Sequence, residues 1–365
     1  MKRLVKSFFL FSTAGLLLLP ALNIYSSAKN NLNSDSVRSV LEFKKLYNMD
    51  VLMPYVGYMF YSIGVSISPE NSIIGKDGWL YLGDAYANTM TEARGMRKAN
   101  PDMVLHLQAV RKSWNQFARE NDSAGYFVSI APNKQSVVKE NLPDWAAIGG
   151  GSNNIKLMFS SSLKDDTAID LSAPLETHSH KESLYYKTDT HWNYLGAWYG
   201  FKELCESISR KHQINCLSDN DVSFSEKERQ AGDLSRFLRI SEFLKDKDQA
   251  VSFRYKSDVM VKGWDGVLIR KSDLNDVIYE MNTPLHTTSS NAKNKLKVLW
   301  LRDSFGISMY PYFNATFSDV MQRHYDYYKK NPAALKELVR SYHPDLIIVT
   351  AVERNYDSGY FFMKP

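Results

Sequence analysis

Apolar positions recur along the chain with two spacings. Between Asp102 and Glu120, Val104, Leu107, Val110, Trp114 and Phe117 return at helical intervals, while Arg111, Lys112, Gln116 and Arg119 fall on the other faces; this predicts an amphipathic helix. The uninterrupted apolar run Tyr126–Ala131 follows and stops at Pro132-Asn133, which reads as a buried strand. A second short strand is expected around Ala168–Leu171. From about Tyr194 to Arg210 the helical spacing returns, with Tyr194, Ala197, Phe201, Leu204 and Ile208 on one face. Lys297–Leu301 reads as another strand, Asn331-Pro332 as the cap and first turn of a helix to about Tyr342, and Asp345–Thr350 as the last buried strand after the His343-Pro344 break. Helices alternating with short buried strands predict an α/β domain built on a parallel sheet.

The remaining stretches set the domain's limits. Lys76-Asp77-Gly78 lies between the apolar stretches Ile73-Ile74 and Trp79–Leu82, a hairpin signal that places the start of the globular domain at residue 73. Residues 29–72 read as a lead-in without strong periodicity, Gly149–Asn154 as a flexible loop, and 219–295 as a polar insertion or peripheral subdomain of mixed α/β character, with strand-like runs such as Val251–Tyr255. At the N-terminus, Lys2, Arg3 and Lys6 precede an apolar run from Phe8 to Leu22 and the small residues Ser26-Ser27-Ala28. Residues 1–28 therefore fit a signal peptide cleaved after Ala28 or a retained N-terminal membrane anchor.

With 365 residues and 44% hydrophobic content, the chain can bury a sizeable core. The net charge is +5, and the first 28 residues hold three of those positive charges and no acidic group. Basic and acidic residues are mixed throughout, without the basic, aromatic-interleaved stripe that tracks a phosphate backbone, so no nucleic-acid partner is expected. The chain's 2 cysteines, Cys205 and Cys216, would meet an oxidising compartment in an exported protein and are expected to pair as a disulfide.

Chemistry concentrates in two places. Ser304 follows the Lys297–Leu301 strand, and in α/β sheets ligands bind at the carboxyl ends of strands; a serine at such a turn presents its hydroxyl outward. Capping of the following helix is the alternative. Thr188–Asn193 precedes the Tyr194 helix and carries Asp189 and His191. His191 is of the type that deprotonates a serine, and Asp189 of the type that orients the imidazole; in an extended segment positions i and i+2 share a face. Read alone, Asp189 also suits a helix cap and His191 a packed polar residue. A metal site built on His178, His180, Asp189 and His191 is not expected, because the spacing fits no zinc helix motif and His178-Ser179-His180 reads as a polar loop. Gly149–Gly151 lacks the Lys-Ser/Thr continuation of a phosphate loop.

Six blocks in order, Gly75-Lys76-Asp77-Gly78-Trp79-Leu80, Ala131-Pro132-Asn133-Lys134, Tyr186–Asn193, Gly232-Asp233-Leu234, Arg302-Asp303-Ser304-Phe305-Gly306 and Val352-Glu353-Arg354, resemble the alginate O-acetyltransferase family of AlgX and AlgJ type. The resemblance covers about residues 73–356. It implies an SGNH-hydrolase-like (flavodoxin-like) α/β fold, with a parallel sheet flanked by helices, and acetylation of exopolysaccharide hydroxyls in the periplasm without a cofactor. Carried over by position, it implies Ser304 as nucleophile, His191 and Asp189 as its partners, and Tyr310 as an active-site tyrosine. Arg302 departs from the wider superfamily's Gly-Asp-Ser, which opens the question of the second oxyanion donor; Asn133 and the Tyr310 hydroxyl are candidates. Arg354 is placed to meet an acidic sugar or orient the site. Trp79 and Trp192 are of the type that stacks on sugar rings, though large aromatics at such positions are commonly core.

The expected function is thus acyl transfer through an acyl-serine to a polysaccharide. The export segment removes the protein from cytoplasmic acetyl-CoA, so the expected partners are a membrane-bound O-acyltransferase as acetyl supplier, an exopolysaccharide acceptor, and polysaccharide export proteins. A glycan esterase using the same triad and a non-enzymatic polysaccharide-binding or assembly protein are the alternatives.

Overall fold

The computed structural model describes residues 2–30, 46–146, 154–160, 165–275 and 283–365. The strands, in chain order, are β1 (Ser72–Ile74), β2 (Leu80–Leu82), β3 (Tyr126–Ala131), β4 (Ala168–Asp170), β5 (Val222–Gln230), β6 (Lys245–Phe253), β7 (Asp258–Gly263), β8 (Leu268–Asp273), β9 (Leu285–Ser289), β10 (Asn294–Arg302), β11 (Phe317–His324) and β12 (Leu346–Val352). The main sheet has eight strands in the order β4-β3-β12-β10-β11-β9-β7-β8. The first five run parallel, and β9, β7 and β8 extend the sheet antiparallel.

Both faces of the parallel part are covered. Along β12, Leu346, Ile348 and Val352 enter one core cluster, whereas Ile347, Val349 and Ala351 enter another on the opposite face, as the two-residue period of a strand requires. Helix Tyr194–Ser209 contributes to the first cluster and helices Pro101–Glu120 and Pro332–Tyr342 to the second. Each of these helices starts at an asparagine whose side chain accepts a backbone N–H: Asn193 from Gly196, Asn100 from Met103, Asn331 from Ala334. Cys205 and Cys216 are disulfide-bonded, which ties the end of the Tyr194–Ser209 helix to the segment leading into β5.

Several expectations need correction. The lead-in holds a helix, Met53–Ser62, whose Gly57 lies so close to the Leu238 carbonyl that a Cβ would collide with it; Tyr61 and Ile67 pack on the cluster formed by Ile74, Leu80, Leu234 and Leu238. The polar 219–295 region is not wholly peripheral. Its β7, β8 and β9 continue the main sheet, and β5 and β6 form a nine-pair antiparallel hairpin. Arg111, assigned by periodicity to an outer face, is buried, because its guanidinium donates to Asp165 Oδ2 at 2.6 Å and to the Tyr356 hydroxyl. Gly149–Gly151 lies outside the described residues. At the N-terminus, Lys2–Asn30 is helical, and Asn23 Nδ2 donates to the carbonyls of Leu46 and Asn48 at 2.8 and 2.9 Å. Among the described residues no helix is long and apolar enough to cross a membrane.

Candidate active site

Three neighbouring parallel strands, β3, β12 and β10, end on the same side of the sheet, and immediately beyond their carboxyl ends stand Asn133, Arg354 and Ser304. Ser304 opens a 3-10 helix, Ser304–Met309. Its cap is the preceding residue: Asp303 Oδ1 accepts from Phe305 N at 3.0 Å, so the serine hydroxyl is not spent on capping. The other Asp303 oxygen accepts from Val352 N at 2.8 Å, Tyr325 Oη at 3.2 Å and Asn355 Nδ2 at 3.4 Å, locking the serine turn to the end of β12.

Asp189 and His191 come from residues 186–191, a bent loop closed by an antiparallel bridge between Tyr185 and Trp192. An extended pleat was the expectation; instead Asp189 Oδ1 accepts from both His191 N at 3.1 Å and His191 Nδ1 at 2.7 Å. The side-chain-to-backbone bond makes the bend and aims the ring. His191 Nε2 lies 2.8 Å from Ser304 Oγ. With Nδ1–H donated to the carboxylate, Nε2 is the acceptor for the serine proton. Burial would raise the Asp189 carboxyl, but the hydrogen bond from His191 and the charges of His191 and Arg229 more than offset it and hold the group well below the usual carboxylate range.

The loop is held at every step by residues that periodicity did not reveal. Asp246, on β6, accepts from Lys187 N at 3.1 Å, Thr188 N at 2.7 Å and Thr188 Oγ1 at 2.5 Å. Asp233 accepts from Thr190 N and Oγ1 at 2.7 and 2.8 Å. At Gly232 a Cβ would overlap the Asp189 side chain, so only glycine lets the two segments meet. Lys134 is buried, and its ammonium donates to the carbonyls of Leu80 at 2.5 Å, Tyr186 at 2.9 Å and Lys187 at 3.3 Å. Lys134 and Gly232 stand in the family-like blocks of the sequence; Asp246 carries no such signal.

Burial lowers the Lys134 ammonium to about 8, against the raising influence of Asp189, Asp233 and Asp246. Lys134→Met is therefore expected to cost about 2–4 kcal/mol through the stranded carbonyls. The sign with pH follows from the lowered value: between about pH 8 and pH 10 the unfolded chain holds this proton and the folded chain does not, so folding gains stability as pH rises. Denaturant titrations of wild type and variant should give a gap that widens over that window.

Other expected site residues fall elsewhere. Trp192 is 0% exposed, and its Nε1–H donates to the Phe305 carbonyl at 2.9 Å; it braces the serine turn from within the core and offers no face to a sugar. Tyr310 is 2% exposed, with its ring in the same cluster, at the start of helix Tyr310–Thr316. Arg302 is buried, with Nε donating to Gln322 Oε1 at 2.8 Å and Nη1 to the Asp303 carbonyl at 3.3 Å; burial lowers it to about 10. Arg354 Nη1 donates to Asn133 Oδ1 at 2.5 Å, and its guanidinium lies 5.2 Å from the Phe305 ring centre. His178 is on helix Ser172–Ser179 rather than in a loop, stacked on Tyr199 at 4.0 Å, and His180 caps that helix. Asp189, His191 and Asp233 do offer ligand atoms within 4.8 Å of one another, yet both Asp233 oxygens already accept from Thr190 and Asp189 Oδ1 from His191. That donor set is spent on positioning.

Residues 73–271 match the family model described as the SGNH hydrolase-like domain of acetyltransferase AlgX. Over 168 residues the chain is 26% identical to "Probable alginate O-acetylase AlgJ" of Pseudomonas syringae pv. tomato, and over 170 residues 24% identical to the protein of the same name from Pseudomonas putida; each alignment covers 46% of this chain and 41% of the relative. The chain thus spans about two fifths of the length of these curated relatives. Among solved structures, Bacillus cereus PatB1 superposes with a TM-score of 0.56 at 16% identity, over 80% of this chain and 99% of that one. A DHHW family protein from Eubacterium siraeum gives 0.56 at 15% identity, over 81% and 96%. With the family match, these likenesses identify the fold as SGNH-like: a mixed α/β architecture with a mostly parallel central sheet flanked by helices.

Proposed function

This chain belongs to the AlgX-type family of SGNH hydrolase-like acetyltransferases, the alginate O-acetyltransferase family, and from that premise we propose that it is a periplasmic enzyme carrying acetyl through an acyl-serine at Ser304 to hydroxyls of an exopolysaccharide, alginate or a similar polymer. The observation that carries the reading is the continuous line from Ser304 Oγ to His191 Nε2 at 2.8 Å and from His191 Nδ1 to Asp189 at 2.7 Å.

In the first step the Ser304 hydroxyl gives its proton to Nε2 while Oγ bonds to the acetyl carbonyl carbon; the donor's ester bond breaks and the leaving oxygen takes the proton from Nε2. In the second step a sugar hydroxyl gives its proton to Nε2, its oxygen takes the acetyl, and the proton returns to Ser304. Asp189 stays ionised throughout and balances the transient imidazolium. The Ser304 backbone N–H and the Asn133 amide serve the oxyanion. Arg354 can only donate, so Asn133 must turn its oxygen to the guanidinium; its NH2 hydrogen-bonds the Glu353 carboxyl, and the second hydrogen of that group is the one proposed for the oxyanion. Asn133 and Arg354 also line a small cleft of about 40 Å³ together with Glu92, Arg97, Ser136 and Glu353.

The apolar run ahead of residue 28 supports export, as a cleaved signal or an anchor, and a membrane-bound O-acyltransferase as acetyl supplier; polysaccharide export proteins are further partners of this reading. The test is incubation with 4-nitrophenyl acetate and alginate oligosaccharides, read by mass spectrometry of the glycan. Acetyl on the sugar is the expected result. Acetate released without glycan acetylation would mean an esterase, and no ester turnover at all would mean a binding protein.

A further inference from the structure

The β5–β6 hairpin reaches the triad through one side chain. Arg229, on β5, places Nη2 3.5 Å from Asp189 Oδ2, the carboxylate oxygen that His191 does not use. Its guanidinium lies 3.8 Å over the centre of the Tyr186 ring, and the Tyr186 hydroxyl donates to Asp248 Oδ1 at 2.8 Å on the neighbouring strand β6. Arg229 stands opposite Asp246 in the hairpin register, but Asp246 is occupied by the Lys187 and Thr188 donors. Among the described residues Arg229 Nη1 is buried without a hydrogen-bond partner. The guanidinium is thus held by a ring face, with its charge left to act on Asp189.

We propose that Arg229 is a positioning residue for the acyl-transfer triad: it fixes the free oxygen of Asp189, and its positive charge opposes the imidazolium that Asp189 would otherwise favour, keeping His191 able to accept a proton at lower pH. This rests on the triad reading above. Among the described residues, the charged groups around the Asp189–His191 pair are Arg229 on β5, Asp246 and Asp248 on β6, Asp233 after Gly232, Lys134 after β3, Asp303 after β10, Arg354 after β12 and Lys187 on the loop itself. Of the cations, Lys134 is spent on three carbonyls and Arg354 on Asn133; Arg229 is the one hydrogen-bonded to the Asp189 carboxylate.

The test compares wild type, Arg229→Gln, Arg229→Lys and Tyr186→Phe. The pH dependence of Ser304 acylation by 4-nitrophenyl acetate is measured by rapid quench, and the pH dependence of the His191 ring signals by NMR, assigned with a His191→Gln control. In Arg229→Gln both transitions are expected to move up by about one pH unit, so the variant is about tenfold slower on the acid limb and converges on wild type at the alkaline plateau. Arg229→Lys should retain most of the wild-type profile. Tyr186→Phe, which keeps the ring face, should leave it in place. If the ring signals of Arg229→Gln titrate where those of wild type do, the inference is overturned, whatever the variant's melting temperature or plateau rate. Failure of the wild-type protein to acylate at Ser304 would instead overturn the functional reading, because the NMR comparison does not depend on turnover.

Discussion

Ser304→Ala is expected to remove the acetyl adduct that wild-type protein forms with an activated acetyl ester, and to lower the acylation rate by about 10⁴-fold or more. The loss should be this large because, among the described residues, no other hydroxyl is hydrogen-bonded to His191 Nε2, which lies 2.8 Å from Ser304 Oγ. The fold should survive. Asp303, not Ser304, caps the turn and ties it to Val352, Tyr325 and Asn355, so removing one partly exposed hydroxyl leaves that anchor intact. Intact-protein mass spectrometry with a rapid-quench series checks the adduct, and peptide mapping should place it at residue 304. An adduct of undiminished rate in the alanine variant would end the nucleophile assignment.

Asp189→Asn is the second large effect, about 10⁴-fold in the acylation rate at neutral pH. An amide is nearly isosteric, but its N–H₂ end cannot accept the Nδ1 proton, and the ring is then free to adopt the tautomer that points a proton, instead of a lone pair, at Ser304. His191→Ala should act through the same step, whereas Asp189→Asn keeps the ring and so isolates the carboxylate. Stability carries a second signature. The folded carboxyl is held below its ordinary value, so Asp189 contributes stability above about pH 4, and that contribution is lost as pH falls through the depressed folded value. Thermal melts should therefore separate wild type from variant at pH 7 and bring them together in strong acid.

How far the sequence carried can be seen residue by residue. Short apolar runs with clear stops located the strands Tyr126–Ala131 and Asp345–Thr350, the latter observed at Leu346–Val352, helical spacing located the helix beginning at Tyr194, and the Asn-Pro cap the helix beginning at Pro332. Helical spacing placed Arg111 outside, because the side chain's partners, Asp165 and Tyr356, are distant in sequence and only the fold supplies them. Trp192 was open between a sugar-stacking ring and a core residue, and it sits in the core; an aromatic beside the Asp189–His191 segment can as well brace it. The region 219–295 read as a polar insertion or peripheral subdomain because its strand-like runs are mixed with charge. Three of those strands add to the sheet, and Arg229, Asp233 and Asp246 reach back to the Asp189 loop. Single side chains that cross between distant segments leave no periodic trace.

His191 and Ser304, the proposed base and nucleophile, are 113 residues apart, and strands β5 to β10 lie between them in the chain. A growing polypeptide therefore contains Asp189, His191 and the β5–β6 hairpin before Ser304 is added. Because β10 must then slot between β11 and β12, both later in sequence, the reactive centre closes only when the carboxyl-terminal third has folded. Pairings of such long range are slow to form. On the proposed mechanism, acylation recovered during refolding becomes a clock for completed assembly, and chains truncated before β12 should stay chemically silent.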